Sequence, residues 1–273
     1  MIIADTIRQE VMPDMVYSLC KLSQKHIKKT ELQRLITLDA TDSSSKDQFS
    51  YVYRFAIACD FIRESGDGTV EPNFSEEELS SFRRFRYAIF SHVFHDGDTN
   101  FTQVAKWYMA CDIPQNPQKG STVLSINTSS EFLQNKPESL DVTDNFFNGF
   151  RFWMTALGLT AFYAQASSTL LFSAHRIIKD WLEFSKPFEA GSNIPARTFF
   201  EKLVKDCPVF SGCIKGNNVG ASLSMALRVL NNCDVIGLIR ITDAGDVWHL
   251  TKSVNYKSSN DITDIVIKEV RDE

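Results

Sequence analysis

Apolar positions fall at helical spacing in three successive stretches. Each stretch runs into an apolar turn and then two short extended runs. In the first, Pro13-Asp14 opens a helix over 13–25 with Met15, Val16, Leu19, Cys20 and Leu22 on one face. Thr30 opens a second, short helix with Leu32, Leu35 and Ile36 inward. A polar loop, Asp42 to Asp47, leads to a third helix over about 48–60, with Phe49, Val52, Phe55, Ala56 and Cys59 inward. The exit, Cys59-Asp60-Phe61-Ile62-Arg63, and Thr69-Val70-Glu71 flank Ser65-Gly66-Asp67-Gly68. Asp-Gly between extended runs predicts a β-hairpin.

The second stretch repeats the order. Ser75-Glu76-Glu77-Glu78 reads as a helix N-terminus, with a capping serine and acids in the first turn, and the helix runs to about Phe94. Asn100-Phe101 opens the next helix, through Ala110. Residues 112–141 are irregular, with Pro114, Pro117, Gly120 and Pro137 and a short strand at Thr122 to Ile126. Asp141 or Thr143 caps a helix over 144–157 that carries Phe146, Phe147, Phe150, Phe152 and Trp153. A hairpin over 159–164 and 168–173 follows, then an amphipathic helix from His175 to Phe184 and a linker from Pro187 to Pro195. In the third stretch a helix spans 196–206. A Gly/Asn loop at 216–220 precedes a helix from Ser222 to Asn232. Ile236 to Ile241, a turn at Asp243 to Asp246, and Val247 to Leu250 predict the last hairpin.

Helices ending in a hairpin define the winged helix. The expected fold is α+β, mainly helical, with tandem winged-helix units (three helices plus a β-hairpin). Unit one covers 1–74. Unit two covers 75–188 with the insertion 112–141. Unit three covers 189–257, and 258–273 form a polar C-terminal tail or a short terminal strand. The units do not align by identity, so they are diverged domains and not a solenoid.

Composition narrows the class. Hydrophobic residues make up 43% and charged residues 23% of the 273, as in a globular protein. Phe occurs 21 times against 7 Tyr and 4 Trp, and lacks a polar handle, so most Phe belong in cores or interfaces. A net charge of -5 weighs against indiscriminate wrapping of DNA. The six cysteines form no Cys-x-x-Cys pair and read as reduced residues of a cytoplasmic protein. No basic-then-apolar leader opens the chain. Phe152 to Ala174 carries no formal charge and is long enough to span a bilayer. A helix ending at Gly158 followed by a hairpin explains the same residues.

The third helix of a winged unit meets DNA with its first residues. In unit one these include Ser50 and Arg54, with Lys28, Lys29 and Arg34 placed to reach phosphates. In unit two they are Asn145, Asn148 and Arg151. In unit three they are Asn217, Asn218, Ser222 and Ser224, with Arg228 a turn later. Solvated helix faces explain the same residues equally well. Acidic wing tips, Glu64 and Asp67, then Asp243 and Asp246, oppose phosphate contact unless turned away.

Chemistry is thinly represented. His92, His95, Asp96 and Asp98 cluster as metal ligands do, but His in the last turn of a helix and Asp-Gly-Asp in a loop explain them. Phosphate-loop, nucleophile-elbow and zinc-protease motifs are absent. Neither a catalytic residue nor a cofactor or metal is expected.

The run Leu223-Ser224-Met225-Ala226-Leu227-Arg228-Val229-Leu230 followed by Ile236-Gly237-Leu238-Ile239-Arg240 resembles the tandem winged-helix proteins of bacterial genome-maintenance and phage-defence systems. It resembles in particular the winged-helix accessory component of clusters that insert deazaguanine bases into DNA. The acidic winged-helix subunits that grip the kleisin of chromosome-condensing complexes are similar in architecture. The insertion and the third unit depart from that two-unit pattern. The resemblance implies a non-enzymatic adaptor that contacts double-stranded DNA and other protein subunits. The alternatives are a protein-protein scaffold without DNA contact and a winged-helix transcriptional regulator. An enzyme built on the His92 cluster is a further reading.

Overall fold

Pro13 begins the first helix, α1 (Pro13–Ser23), where its missing N–H removes a donor that the first turn leaves unbonded. Val16, Leu19 and Cys20 bury one face. The computed structural model describes residues 3, 7–38, 43–96, 98–111, 136–140, 142–163, 166–242, 245–252 and 260–268. It is α+β, about half helical, with small sheets. The chain folds into two lobes. Met1–Gln103 with Thr128–Leu157 form the first, and Val104–Asn127 with Gly158–Glu273 form the second.

In the first lobe, β1 (Ile27–Lys28), α2 (Lys29–Ile36), α3 (Ser43–Ala58), β2 (Ile62–Glu64) and β3 (Thr69–Pro72) follow α1. The three strands form one antiparallel sheet in the order β1-β3-β2, with Ile27 opposite Val70 and Arg63 opposite Glu71. Helix α3 starts at Ser43, so the polar run 43–47 expected as a loop is its first turn. A first turn needs no apolar residue, and hydrophobic spacing therefore missed it.

Ser75 and Glu78 close a capping box: the Ser75 amide donates to Glu78 Oε2 at 2.7 Å and the Glu78 amide to Ser75 Oγ at 3.2 Å. The helix proper, α4 (Phe82–Asp96), begins only at Phe82. Then come α5 (Asn100–Ala110) and α6 (Asp144–Ala156). Thr143 caps α6 by accepting from the Phe146 amide at 3.2 Å. The expected strand at 122–126, the alternative cap Asp141 and the wing-tip residue Asp243 lie outside the described residues.

The phenylalanines make the core of this lobe. Trp153 lies 5.3 Å from Phe55 and 6.2 Å from Phe61, and Phe74 packs on Phe61 and Phe85. Phe94, Phe101, Phe150 and Phe146 extend the cluster. The Phe74–Phe85 contact, at 5.0 Å, joins residues on either side of the expected 74/75 division within one lobe.

In the second lobe Gly158 adopts φ 74, a left-handed conformation that a Cβ disfavours. It leads into β4 (Thr160–Tyr163), paired antiparallel with β5 (Ala166–Phe172). The uncharged run from Phe152 is thus a helix end and a hairpin. Among the described residues no helix is long and apolar enough to cross a membrane. Helix α7 (His175–Asp180) continues as one π-helical turn to Ser185.

The rest of the second lobe departs from the expected hairpin. Its elements are β6 (Asn193–Pro195), α8 (Ala196–Asp206), a 3₁₀ turn (Pro208–Cys213), β7 (Ile214–Lys215), β8 (Asn218–Val219) and α9 (Ala221–Asn232). Then come β9 (Ile236–Ile239), β10 (Trp248–Leu250), β11 (Asp261–Ile262) and β12 (Asp264–Ile267). Strand β9 pairs with β12 and not with β10; the sheet order is β6-β12-β9. Strand β10 joins β11 and β8 instead. One expectation is corrected here: residues 193–195 of the linker are an edge strand. The short terminal strand offered for the C-terminal stretch is present, and residues 264–267 form the central strand of a sheet. The reason is burial. Ile262, Ile265 and Ile267 are all buried, and Trp248 is buried with its ring 4.6 Å from Phe200.

Candidate nucleic-acid interface

Because α3 begins at Ser43, Lys46 joins Ser50 and Arg54 at four-residue intervals along one face. Lys46 and Arg54 are exposed and Ser50 is half-buried. Arg54 has no carboxylate partner among the described residues. Lys46 is not recognisable from sequence, because its polar surroundings read as a loop. The β2–β3 hairpin follows directly. Tyr53 ties the two elements together: its hydroxyl donates to Glu64 Oε2 at 2.7 Å. Burial and the Glu64 carboxylate push the Tyr53 phenol well above its ordinary range.

The other expected cations of this lobe are paired. Lys28 Nζ donates to both the Asp67 carbonyl and Asp67 Oδ2 at 2.6 Å. Lys29 Nζ lies 3.6 Å from Glu64 and 4.2 Å from the Tyr53 ring centre. Arg34 grips Glu31 with two bonds, at 2.9 and 2.7 Å. Exposed pairs of this kind are weak and screened by salt, so a phosphate competes with the carboxylate without a large penalty. The hairpin tip itself is anionic. Lys28 first, then Ser65 and Thr69, hold the Asp67 carboxyl well below its ordinary value. Arg63 first, then His26, do the same for Glu71.

Asn148 and Arg151 bind each other on α6: Arg151 Nη2 donates to Asn148 Oδ1 at 2.7 Å. The guanidinium lies 5.1 Å from the Phe147 ring centre, and burial lowers its pKa.

The expected contacts on α9 are corrected. Ser222 and Arg228 are each 1% exposed. Ser222 Oγ donates to the Met109 carbonyl at 2.6 Å. Arg228 Nη2 donates to the Thr251 carbonyl at 2.9 Å and to Asn260 Oδ1 at 2.8 Å. A base edge cannot reach either while the lobe is folded. Asn217 Nδ2 donates to the Val247 carbonyl at 3.0 Å and to Asp246 Oδ1 at 3.2 Å. Asn218 is exposed, with a bond to the Lys215 carbonyl. Ser224, also buried on α9, donates to the Val219 carbonyl of β8 at 2.9 Å and accepts from the Thr251 amide just after β10 at 2.9 Å.

His92 Nε2 stands 3.9 Å from Glu78 Oε1, and Asp98 Oδ1 accepts from Gln103 Nε2 at 3.1 Å. The Asp96 side chain lies outside the described residues. Among the described residues no group of three or more His, Cys, Asp or Glu is placed to hold a metal.

A family model, DpdG-like, matches residues 7–244. The chain belongs to the DpdG-like family. Membership ties it to the deazaguanine-modification (Dpd) clusters that act on DNA, as an accessory component. An accessory family suggests partnership within a multicomponent system. The matched span takes in both α3 with its hairpin and α9. No curated protein and no solved structure matches the chain.

Proposed function

We propose that this accessory component is a non-enzymatic adaptor that contacts double-stranded DNA through its first lobe and binds other protein subunits of the system. It needs no cofactor. Residues 13–72 act as a winged helix, with α3 as the DNA-facing helix and β2–β3 as the wing. Residues 75–188 are a diverged version of the same unit, and the third unit runs past 257, since β12 at 264–267 closes its sheet. The observation that carries the DNA contact is the Lys46–Ser50–Arg54 face beside the hairpin: two exposed cations flank a hydroxyl at the spacing a groove-facing helix uses. The test is fluorescence anisotropy of a labelled duplex titrated with the full chain at low and at physiological salt. Binding that weakens with salt supports the reading, and its slope gives the number of phosphates met. No binding at low salt removes DNA contact.

A second reading, a protein-protein scaffold, draws on a specific observation. Of the residues expected to meet DNA, Ser222 and Arg228 are buried and Lys28 and Arg34 are already paired with carboxylates. That leaves Arg54 and Lys46 as the main cations of the face. A transcriptional regulator would instead form a stable dimer and shift one operator selectively.

A further inference from the structure

The N-terminal segment lies across α6 with its backbone fixed on both sides of Arg8. Ile7 and Val11 are buried. Between them the Arg8 carbonyl accepts from the Val11 amide at 3.1 Å, which closes a turn. The Val11 carbonyl in turn accepts from Trp153 Nε1 at 3.1 Å. Gly149 of α6 lets the Arg8 backbone approach: a Cβ there would stand 2.9 Å from the Arg8 nitrogen and 3.0 Å from its oxygen. Arg8 itself is exposed, so an outward side chain leaves a backbone that is held in place.

That side chain reaches α3. Its guanidinium stands over the Tyr51 ring, 5.2 Å from the ring centre. Tyr51 comes three residues before Arg54, and positions three apart are neighbours on a helix surface. Arg8 is therefore set beside the Lys46–Ser50–Arg54 face, although it is remote from that face in sequence. Stacking engages the flat side of a guanidinium and leaves the N–H fork at its rim, the part that grips phosphate. Among the described residues Arg8 has no carboxylate partner.

Acids lie close by: Asp47 one turn before Tyr51, Glu10 in the turn that Arg8 opens, and Asp60 at the exit of α3. The surface is thus no broad positive field, and duplex contact there depends on individually placed cations. Arg8 is such a cation, with its backbone pinned on α6 and its guanidinium on Tyr51. We infer, building on duplex contact through α3, that Arg8 is a further phosphate contact and that Tyr51 is the residue that positions it. The DNA-facing surface then comprises a helix and the N-terminal turn beside it. A phosphate contact of this kind sets register and carries no sequence information.

The test is anisotropy of labelled duplexes with the full chain across a salt series. Arg8→Gln keeps part of the stem over the ring and removes the charge. It should weaken binding equally for duplexes of unrelated sequence and lower the slope of log K against log salt by about 1. Tyr51→Leu should give part of the same loss and add little on top of Arg8→Gln, because the two side chains act as one unit. Additive losses overturn the positioning role of Tyr51. Urea unfolding isolates a merely structural role: lower stability of Arg8→Gln with an unchanged slope overturns the inference. If a variant fails to fold, the wild-type chain still decides. Duplex should shield Arg8 as well as Arg54 from phenylglyoxal, read by peptide mass mapping. Shielding of Arg54 alone overturns the inference and leaves α3 as the DNA-facing helix. No duplex binding by the wild type at low salt overturns both. Loss of co-elution with another protein of the cluster on Arg8→Gln, with duplex binding intact, gives Arg8 to a protein partner and also overturns the inference.

Discussion

Arg228 Nη2 donates to Asn260 Oδ1 at 2.8 Å, so an arginine in the middle of α9 holds the segment that leads into β11. The same nitrogen donates to the Thr251 carbonyl just after β10. One buried side chain thus links a helix to chain segments 23 and 32 residues further on.

Arg228→Ala should lower stability by about 2–4 kcal/mol, because it leaves a large void and strips buried acceptors of their donor. Urea unfolding measures this. Duplex affinity of the folded variant should match the wild type. A loss of affinity at unchanged stability would return Arg228 to the DNA face.

Arg54→Ala should weaken duplex binding and lower the slope of log K against log salt by about 1, the signature of one lost phosphate contact. Arg34→Ala should have a smaller effect, since Glu31 already occupies that guanidinium. Equal effects of the two would assign binding to general charge and not to the α3 face.

Gly149 sits where the N-terminal segment crosses α6. A Cβ there would meet Ile7 Cγ1 at 2.8 Å and the Arg8 amide nitrogen at 2.9 Å. Trp153 secures the same crossing by donating from Nε1 to the Val11 carbonyl at 3.1 Å. Gly149→Ala should destabilise the chain by about 1–3 kcal/mol through overpacking. Thermal unfolding measures it, and an unchanged midpoint would show that the segment moves aside freely.

The Asp67 carboxyl is held below the ordinary aspartate value of 3.8, first by Lys28. A depressed pKa in the folded state gives stability that is present above that ordinary value and lost as pH falls through the folded one. The hairpin tip should therefore stay ordered at about pH 5 and loosen only well below 3.8. Carbon-13 NMR of the Asp67 carboxyl reads the titration directly. A midpoint at or above the ordinary value would mean that Lys28 does not hold it in solution.

Burial pushes the Cys20 and Cys207 thiols far above their ordinary pKa. Cys59 and Cys213 are buried as well, whereas Cys233 is exposed. Alkylation of the native chain should label Cys233 first and reach Cys20 and Cys207 only on unfolding. Peptide mass mapping checks the order, and early labelling of Cys20 would reveal local opening of α1.

Much of the first lobe was legible from local pattern. Pro13, the Phe49–Phe55 spacing and Ser65-Gly66-Asp67-Gly68 each act within a few residues, and α1, α3 and the β2–β3 hairpin stand where they point. The candidate site was legible only in part. Arg54 was readable as a helix-face cation, but Lys46 needed the true start of α3, which no apolar residue marks.

The sequence by itself determined most of the helices, two of the three expected hairpins and the link to deazaguanine-modification clusters that the family match supports, because periodicity and turn chemistry are short-range. Tertiary structure alone decided which strands pair in the second lobe. The run 236–239 has two apolar candidates downstream, Trp248 to Leu250 and Ile265 to Ile267. Proximity along the chain favours the nearer one. The farther one wins because Trp248 buries its ring against Phe200, while Ile265 and Ile267 fill the core beneath β9. The same burial turns Ser222 and Arg228 from candidate readers of DNA into internal ties. A polar side chain on a helix reads alike in sequence whether water or protein covers it, and only packing decides which.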